Sequence, residues 1–143
     1  MNGKFHELCS SCLKYQINII AIQEHRHRTE LPIDRRWSDD GNYLFIFSSA
    51  DKNGVGGVGF LVCKRYANYA ESIQSISNRI MLINFESNPA LSIICTHAPT
   101  NNNHNIKNGT IMIDNYYNEI DTIKLIPKHN FLVIAGDFNA RIG

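Results

Sequence analysis

Little in the overall composition of this chain singles out a partner. Fourteen lysines and arginines stand against 13 acidic residues, a formal net charge of +1, so no global field draws the protein to polyanions and any nucleic-acid contact has to be local. No apolar run approaches the ~20 residues of a membrane span. The first residues, Met1-Asn2-Gly3-Lys4-Phe5-His6-Glu7, lack the continuous apolar stretch of a signal peptide. These absences predict a soluble intracellular protein, nuclear or cytoplasmic, with no membrane partner. Cysteine is also scarce. Cys9, Cys12, Cys63 and Cys95 fall inside apolar segments or an expected helix and not in a loop-rich framework, which predicts free thiols, a reducing compartment and no disulfide partner. No internal repeat is visible, and 143 residues make one domain, 1–143, able to bury roughly 70% of its unfolded surface.

What is present is a series of short apolar runs. Phe5, Leu8, Cys9, Cys12 and Leu13 recur at helical spacing and predict an amphipathic helix over residues 3–15. The isoleucine-rich run from Ile17 to Gln23 predicts a strand covered on both faces, ending at Glu24. Tyr43–Phe47 predicts a second strand after the Ser38–Asn42 turn, and a third runs from about Gly56 to Cys63. Arg79–Phe85 and Leu91–Thr96, separated by Glu86-Ser87-Asn88-Pro89, read as a hairpin. Asn101–Asn105 reads as a solvated loop. Ile113, Tyr116, Tyr117, Ile120, Ile123 and Lys124 then predict a helix ending near Pro127, and Phe131–Ala135 a last buried strand. This order fits an α/β protein with mixed sheets and outer helices.

Three of the runs end on a polar group. Gly136-Asp137-Phe138-Asn139-Ala140 follows Phe131–Ala135, Glu24 follows Ile19–Gln23, and His97 follows Leu91–Thr96, with Pro99 preventing simple continuation. A carboxylate in apolar surroundings costs several kcal/mol unless compensated, so Asp137 and Glu24 belong at a mouth. If their strands lie side by side, the carboxyl ends open onto one crevice. Hard oxygen ligands at such a rim suit Mg²⁺. His97 titrates near neutrality and can donate to a phosphate oxygen, or act as an acid if its pKa is raised. The alternatives stay open: Gly136-Asp137 as an ordinary turn, Glu24 as a surface partner of Arg26 or Arg28, His97 as an exposed loop residue.

Other patterns carry less. Gly54-Val55-Gly56-Gly57-Val58-Gly59 precedes a strand, whereas a dinucleotide fingerprint follows one; its glycines mark a tight turn or a place where a bulky substrate nears the backbone. Cys9-x2-Cys12 and His25-x-His27 miss zinc-finger spacing, because the histidines are one residue apart. Arg26, Arg28, Arg35, Arg36 and Trp37 form a basic loop with an aromatic, suited to phosphates and a stacked base, or simply a solvated loop, since Glu30, Asp34, Asp39 and Asp40 lie within it.

Taken together, Ile22-Gln23-Glu24, Gly57-Val58-Gly59-Phe60-Leu61, His97-Ala98-Pro99-Thr100 and Gly136-Asp137-Phe138-Asn139-Ala140 resemble the endonuclease/exonuclease/phosphatase superfamily. Gln23-Glu24-His25-Arg26, Asn78-Arg79-Ile80-Met81 and the run from Ile126 to Gly143 resemble more narrowly the endonuclease domains of LINE-type retrotransposons and craniofacial-development-protein-like sequences. The resemblance implies a four-layer α/β sandwich and hydrolysis of a DNA phosphodiester with Mg²⁺, or Mn²⁺ in its place. It implies that Glu24 binds the metal, Asp137 activates water and Asn139 orients the phosphate or stabilises its developing charge, with His97 where the family usually has a tyrosine; Arg26 and Arg28 of the basic loop are the candidates for contact with the substrate. The family's first strand, with its metal-linked asparagine, precedes the opening helix, and its Ser-Asp-His segment follows the last strand here. A domain truncated at both ends is therefore expected, inactive or barely active alone. Two alternatives remain: a non-catalytic remnant binding nucleic acid or protein, and a phosphatase branch of the superfamily.

Overall fold

The structure, a computed structural model, describes residues 3–100, 106–121, 124 and 126–139. The expected Asn101–Asn105 loop, Ile123 of the expected helix, and Ala140–Gly143 lie outside the described residues. The chain runs α1 (Gly3–Lys14), β1 (Ile19–Gln23), β2 (Ile33–Trp37), β3 (Tyr43–Ser48), β4 (Val58–Cys63), α2 (Lys64–Ala67), β5 (Ala70–Ser77), β6 (Ile80–Phe85), β7 (Leu91–His97), α3 (Ile106–Ile120) and β8 (Phe131–Asp137). Two four-stranded sheets form, in the orders β1-β4-β3-β2 and β5-β6-β7-β8. The first is antiparallel throughout. In the second, β8 joins β7 in parallel, which requires a crossover, and α3 provides it.

Side-chain alternation divides the strands' apolar residues between two faces. Leu44, Ile46, Val58, Phe60 and Val62 of the first sheet meet Met81, Ile83, Phe85, Ile93 and Cys95 of the second, making the central layer. The opposite face of the first sheet offers Tyr43, Phe45, Phe47 and Leu61 to α1, which covers them with Phe5, Leu8, Cys9 and Cys12; Leu13 points away and is exposed. The opposite face of the second sheet packs Ile80, Leu82 and Ile94 against Tyr116 of α3. There the Tyr116 hydroxyl and the Thr96 hydroxyl satisfy each other at 2.8 Å. Packing therefore runs helix, sheet, sheet, helix: an α/β sandwich. Among the described residues no helix is long and apolar enough to cross a membrane, and the cysteines form no disulfide.

Several expectations change. β1 is covered on both faces, Ile19 and Ala21 packing into the layer between the sheets and Ile20 and Ile22 toward α1, but as an edge strand it is only half-buried. β8 is an edge too: Phe131 is 64% exposed and Val133 47%, so this is not a buried strand. An all-apolar run reads the same from sequence whether or not neighbours cover it. Residues 33–37, expected within a basic loop, form edge strand β2, paired with β3 from Ile33–Ser48 to Trp37–Leu44. α2 and β5 were not foreseen. β5 mixes Ser, Gln and Glu with two isoleucines, and its ladder with β6 shifts register twice, which blurs the period-2 signal.

If the core lies between the sheets as described, Phe60→Ala will lose about 3–5 kcal/mol, whereas Phe131→Ala on the open edge will change stability by no more than about 0.5 kcal/mol. Urea denaturation midpoints check this; comparable losses would contradict the exposure of β8.

Candidate active site at one rim of the sandwich

Strand register decides which groups meet. His97 sits beside Asp137 in the parallel β7–β8 ladder, on the same face as Cys95, which belongs to the layer between the sheets. Both side chains therefore turn toward the other sheet, where β1 ends. Just below the rim the sheets are tied together: the Gln23 amide donates to Cys95 Sγ at 3.3 Å, and Cys95 Sγ–H donates to the Ile22 carbonyl at 3.3 Å. Glu24 follows, with Oε1 3.9 Å from His97 Nε2, too far for a hydrogen bond but close for a charge. The crevice thus forms across the two sheets. The expected side-by-side arrangement is replaced by strand ends that face each other.

Backbone geometry sharpens the placement. Glu24, Arg26 and Asn139 all have positive φ, at 52°, 60° and 45°, a conformation that disfavours side chains with a Cβ and that clusters at functional sites. Opposite Glu24, Gly57 has φ +84°, and a Cβ added there would lie 2.5 Å from the His25 ring. The glycine run therefore makes room for His25, and for Asn78 beside Gly56, not for a substrate. Gly136 has a similar role in β8, since a Cβ would collide with the Thr96 carbonyl and push Asp137 away from His97.

Asn139 closes the rim on the β8 side. Its backbone N–H donates to Asp137 Oδ1 at 2.9 Å, and its Nδ2 donates to the Ala98 carbonyl at 2.5 Å. These two contacts do not use the second side-chain N–H or the amide oxygen of Asn139. Asp137 is exposed, so water reaches its carboxylate. His97 is buried, with Nδ1 lacking a partner among the described residues. Burial foremost and then the Arg79 charge hold its pKa below the ordinary value, against the opposing pull of Glu24 and Asp137. His97 is consequently neutral near pH 7, and the raised pKa that an acid would need is not found.

Of the expected basic residues, Arg26 leans on Glu24, with Nη2 3.3 Å from Oε2. Arg28 is exposed. Arg36 pairs with Asp34 at 2.9 Å and covers the Phe47 ring, so its charge is largely answered within β2. Arg79, which enters the sequence pattern only within Asn78-Arg79-Ile80-Met81 and has no role there, emerges as a site neighbour. Its Nη1 donates to the His97 carbonyl at 3.3 Å, and its own carbonyl accepts from the His97 N–H at 2.9 Å. A lone arginine opening an apolar run carries no signal of that contact. Cys9 and Cys12 lie buried against the first sheet, and burial raises the Cys9 thiol to about 11.

Among the described residues no group of three or more His, Cys, Asp and Glu side chains is gathered closely enough to hold a metal ion. Mg²⁺, however, is often held by one or two carboxylates, with waters and substrate phosphate completing the shell. Glu24, half-exposed at the rim, offers one such carboxylate, with Oε2 now 3.3 Å from Arg26 Nη2. No family model matches the chain, and no curated protein matches it significantly.

His25 supplies a pH test of this corner. Burial above all, and His27 next to it, lower its pKa from 6.5 to about 4, with the nearby backbone of Val58 and Ser48 opposing. The unfolded chain takes up this proton first, so the stabilisation is complete above pH 6.5 and is lost as pH falls toward 4. The urea midpoint should drop between pH 7 and 4.5, and His25→Gln should flatten that dependence; an unchanged profile in the variant would contradict the assignment.

Proposed function

We propose that this chain belongs to a Mg²⁺-dependent phosphodiesterase of the endonuclease/exonuclease/phosphatase type, acting on DNA. The observation that carries this reading is the meeting of Glu24, His97 and Asp137 at one rim, from strands of two different sheets. The helix, sheet, sheet, helix order supports it, as does the placement of the non-glycine residues with positive φ, which among the described residues lie at the rim and, at Gln16, in the turn after α1.

The chemistry follows from the groups present. Asp137, exposed and held by the Asn139 N–H, takes a proton from the attacking water. Asn139, anchored on the Ala98 carbonyl, offers its remaining N–H to a phosphate oxygen whose charge grows in the transition state. Neutral His97 donates a hydrogen bond to the same phosphate in place of a tyrosine. Glu24 would hold Mg²⁺, or Mn²⁺, which when bound would supply Lewis-acid stabilisation of the developing charge. Arg26, released from Glu24, and exposed Arg28 flank the phosphate backbone. Protonation of the leaving oxygen has no dedicated acid among the described residues, because His97 is neutral, so turnover is slow.

Supercoiled, nicked and abasic DNA incubated with Mg²⁺ should show slow strand cleavage. Asp137→Ala should lower it about 10²–10⁴-fold, and Glu24→Ala should abolish its Mg²⁺ dependence. Equal product from wild type and Asp137→Ala would overturn the reading.

A further inference from the structure

Beside the rim, on the face of β8 turned toward α3, lies a cavity of about 200 Å³ lined by Ala98, Pro99, Tyr116, Tyr117, Phe138 and Asn139, with Ile113 at its edge. Its position follows from alternation. Asp137 turns toward the other sheet and Phe138, next in the chain, toward the helix. Two of its rings are presented to solvent, Tyr117 at 62% exposure and Phe138 at 46%. Neither belongs to the cluster that Tyr116 joins with Ile80, Leu82 and Ile94, so they are not needed to fill the core. Tyr117 is held against Tyr116 edge-on, with ring centroids 5.5 Å apart, and Tyr116 is itself fixed by Thr96. The result is two exposed aromatic rings lining one cavity, with Tyr117 braced against the fixed Tyr116.

Asn139 lines this cavity and also completes the rim through Asp137 and Ala98. The cavity is therefore continuous with the candidate site. We propose that Tyr117 and Phe138 form a subsite that stacks one unpaired base of a nucleic-acid strand whose neighbouring phosphate lies at Asp137 and Asn139. A base is flat and apolar on its faces, which suits exposed rings. Its polar edge needs a partner, and Asn139, which lines the cavity, has an amide oxygen not used in the contacts with Asp137 and Ala98 that can accept from it. Among the described residues that line the cavity none is charged, so the subsite recognises the base and leaves the phosphate to the rim. This inference rests on the phosphodiesterase reading, which it deepens by naming single-stranded or flipped-out nucleotides as the preferred substrate.

The test uses two fluorescent single-stranded DNA octamers, one carrying its bases and one abasic throughout, with Mg²⁺ present. Tyr117→Ala and Phe138→Ala, both at exposed positions that leave the core intact, should each weaken the base-bearing strand about tenfold and leave the abasic strand unchanged. Tyr117→Phe should restore wild-type binding, because the ring is what stacks. Equal weakening of both strands, or no change in either, overturns the subsite. Wild-type binding to the base-bearing strand alone would keep the subsite and overturn the phosphate reading of the rim. Binding to neither would overturn both.

Discussion

The apolar layer between the two sheets is the constraint from which the rest of the rim follows. Phe60, Val62, Met81, Ile83 and Cys95 interdigitate across it with almost no exposure, and close-packed interiors do not slide by fractions of a residue. That layer fixes how far β1 reaches relative to β7, and the Cys95 contacts to β1 set the final step. Because side chains alternate with period two, a one-residue slip of β8 along β7 would turn Asp137 toward α3 and Phe138 toward Glu24. Gly136 guards that register, since β7 and β8 approach so closely at Thr96 that no side chain fits between them. Site and subsite are thus two faces of one strand end, held by the same packing.

Most of the fold was legible where burial and pattern agreed. β3, β4, β6 and β7 are uncharged apolar runs bounded by turn residues, and α1 shows its stripe through Phe5, Leu8, Cys9 and Cys12. The illegible parts share one property, which is that their structure is decided by a partner distant in sequence. β2 is a strand because β3 offers it an edge, not because Ile33-Asp34-Arg35-Arg36-Trp37 alternates. β1 and β8 look like core strands, yet each has a neighbour on one side only. Glu24, His97 and Asp137 were readable singly as polar groups ending apolar runs. Their meeting across two sheets was not, because no local pattern encodes which strand ends face one another.

His25 and the glycines opposite it show the same limit. Gly54 to Gly59 has the composition of a ligand loop, but Gly57 is occupied by the His25 ring and Gly56 by Asn78. Glycine signals that something comes close; it does not say whether that is a ligand or the protein itself. Here the close approach lets His25 N–H and Arg26 N–H extend the β1–β4 pairing to the carbonyls of Gly57 and Gly56 at 3.4 and 3.2 Å. The ladder thereby carries past Gln23 and fixes the backbone of Glu24, which explains how a half-exposed carboxylate keeps a defined position.

The charges at the rim bear on what a phosphodiester would need in order to bind there. Glu24 and Asp137 both bring carboxylates to the rim, and His97 does not offset them because burial and Arg79 keep it neutral. A phosphate about 4 Å from one such carboxylate is repelled by about 4 kcal/mol at the effective dielectric of a protein surface. Arg26 answers part of this only while it remains on Glu24. Arg79 gives a hydrogen bond to the His97 carbonyl, behind the carboxylates. An anion is therefore poorly matched to the rim as it stands, and a divalent cation on Glu24 converts repulsion into attraction. On the proposed reading, the metal is a condition of substrate binding as well as of the chemical step, whereas the uncharged aromatic subsite beside it works without one.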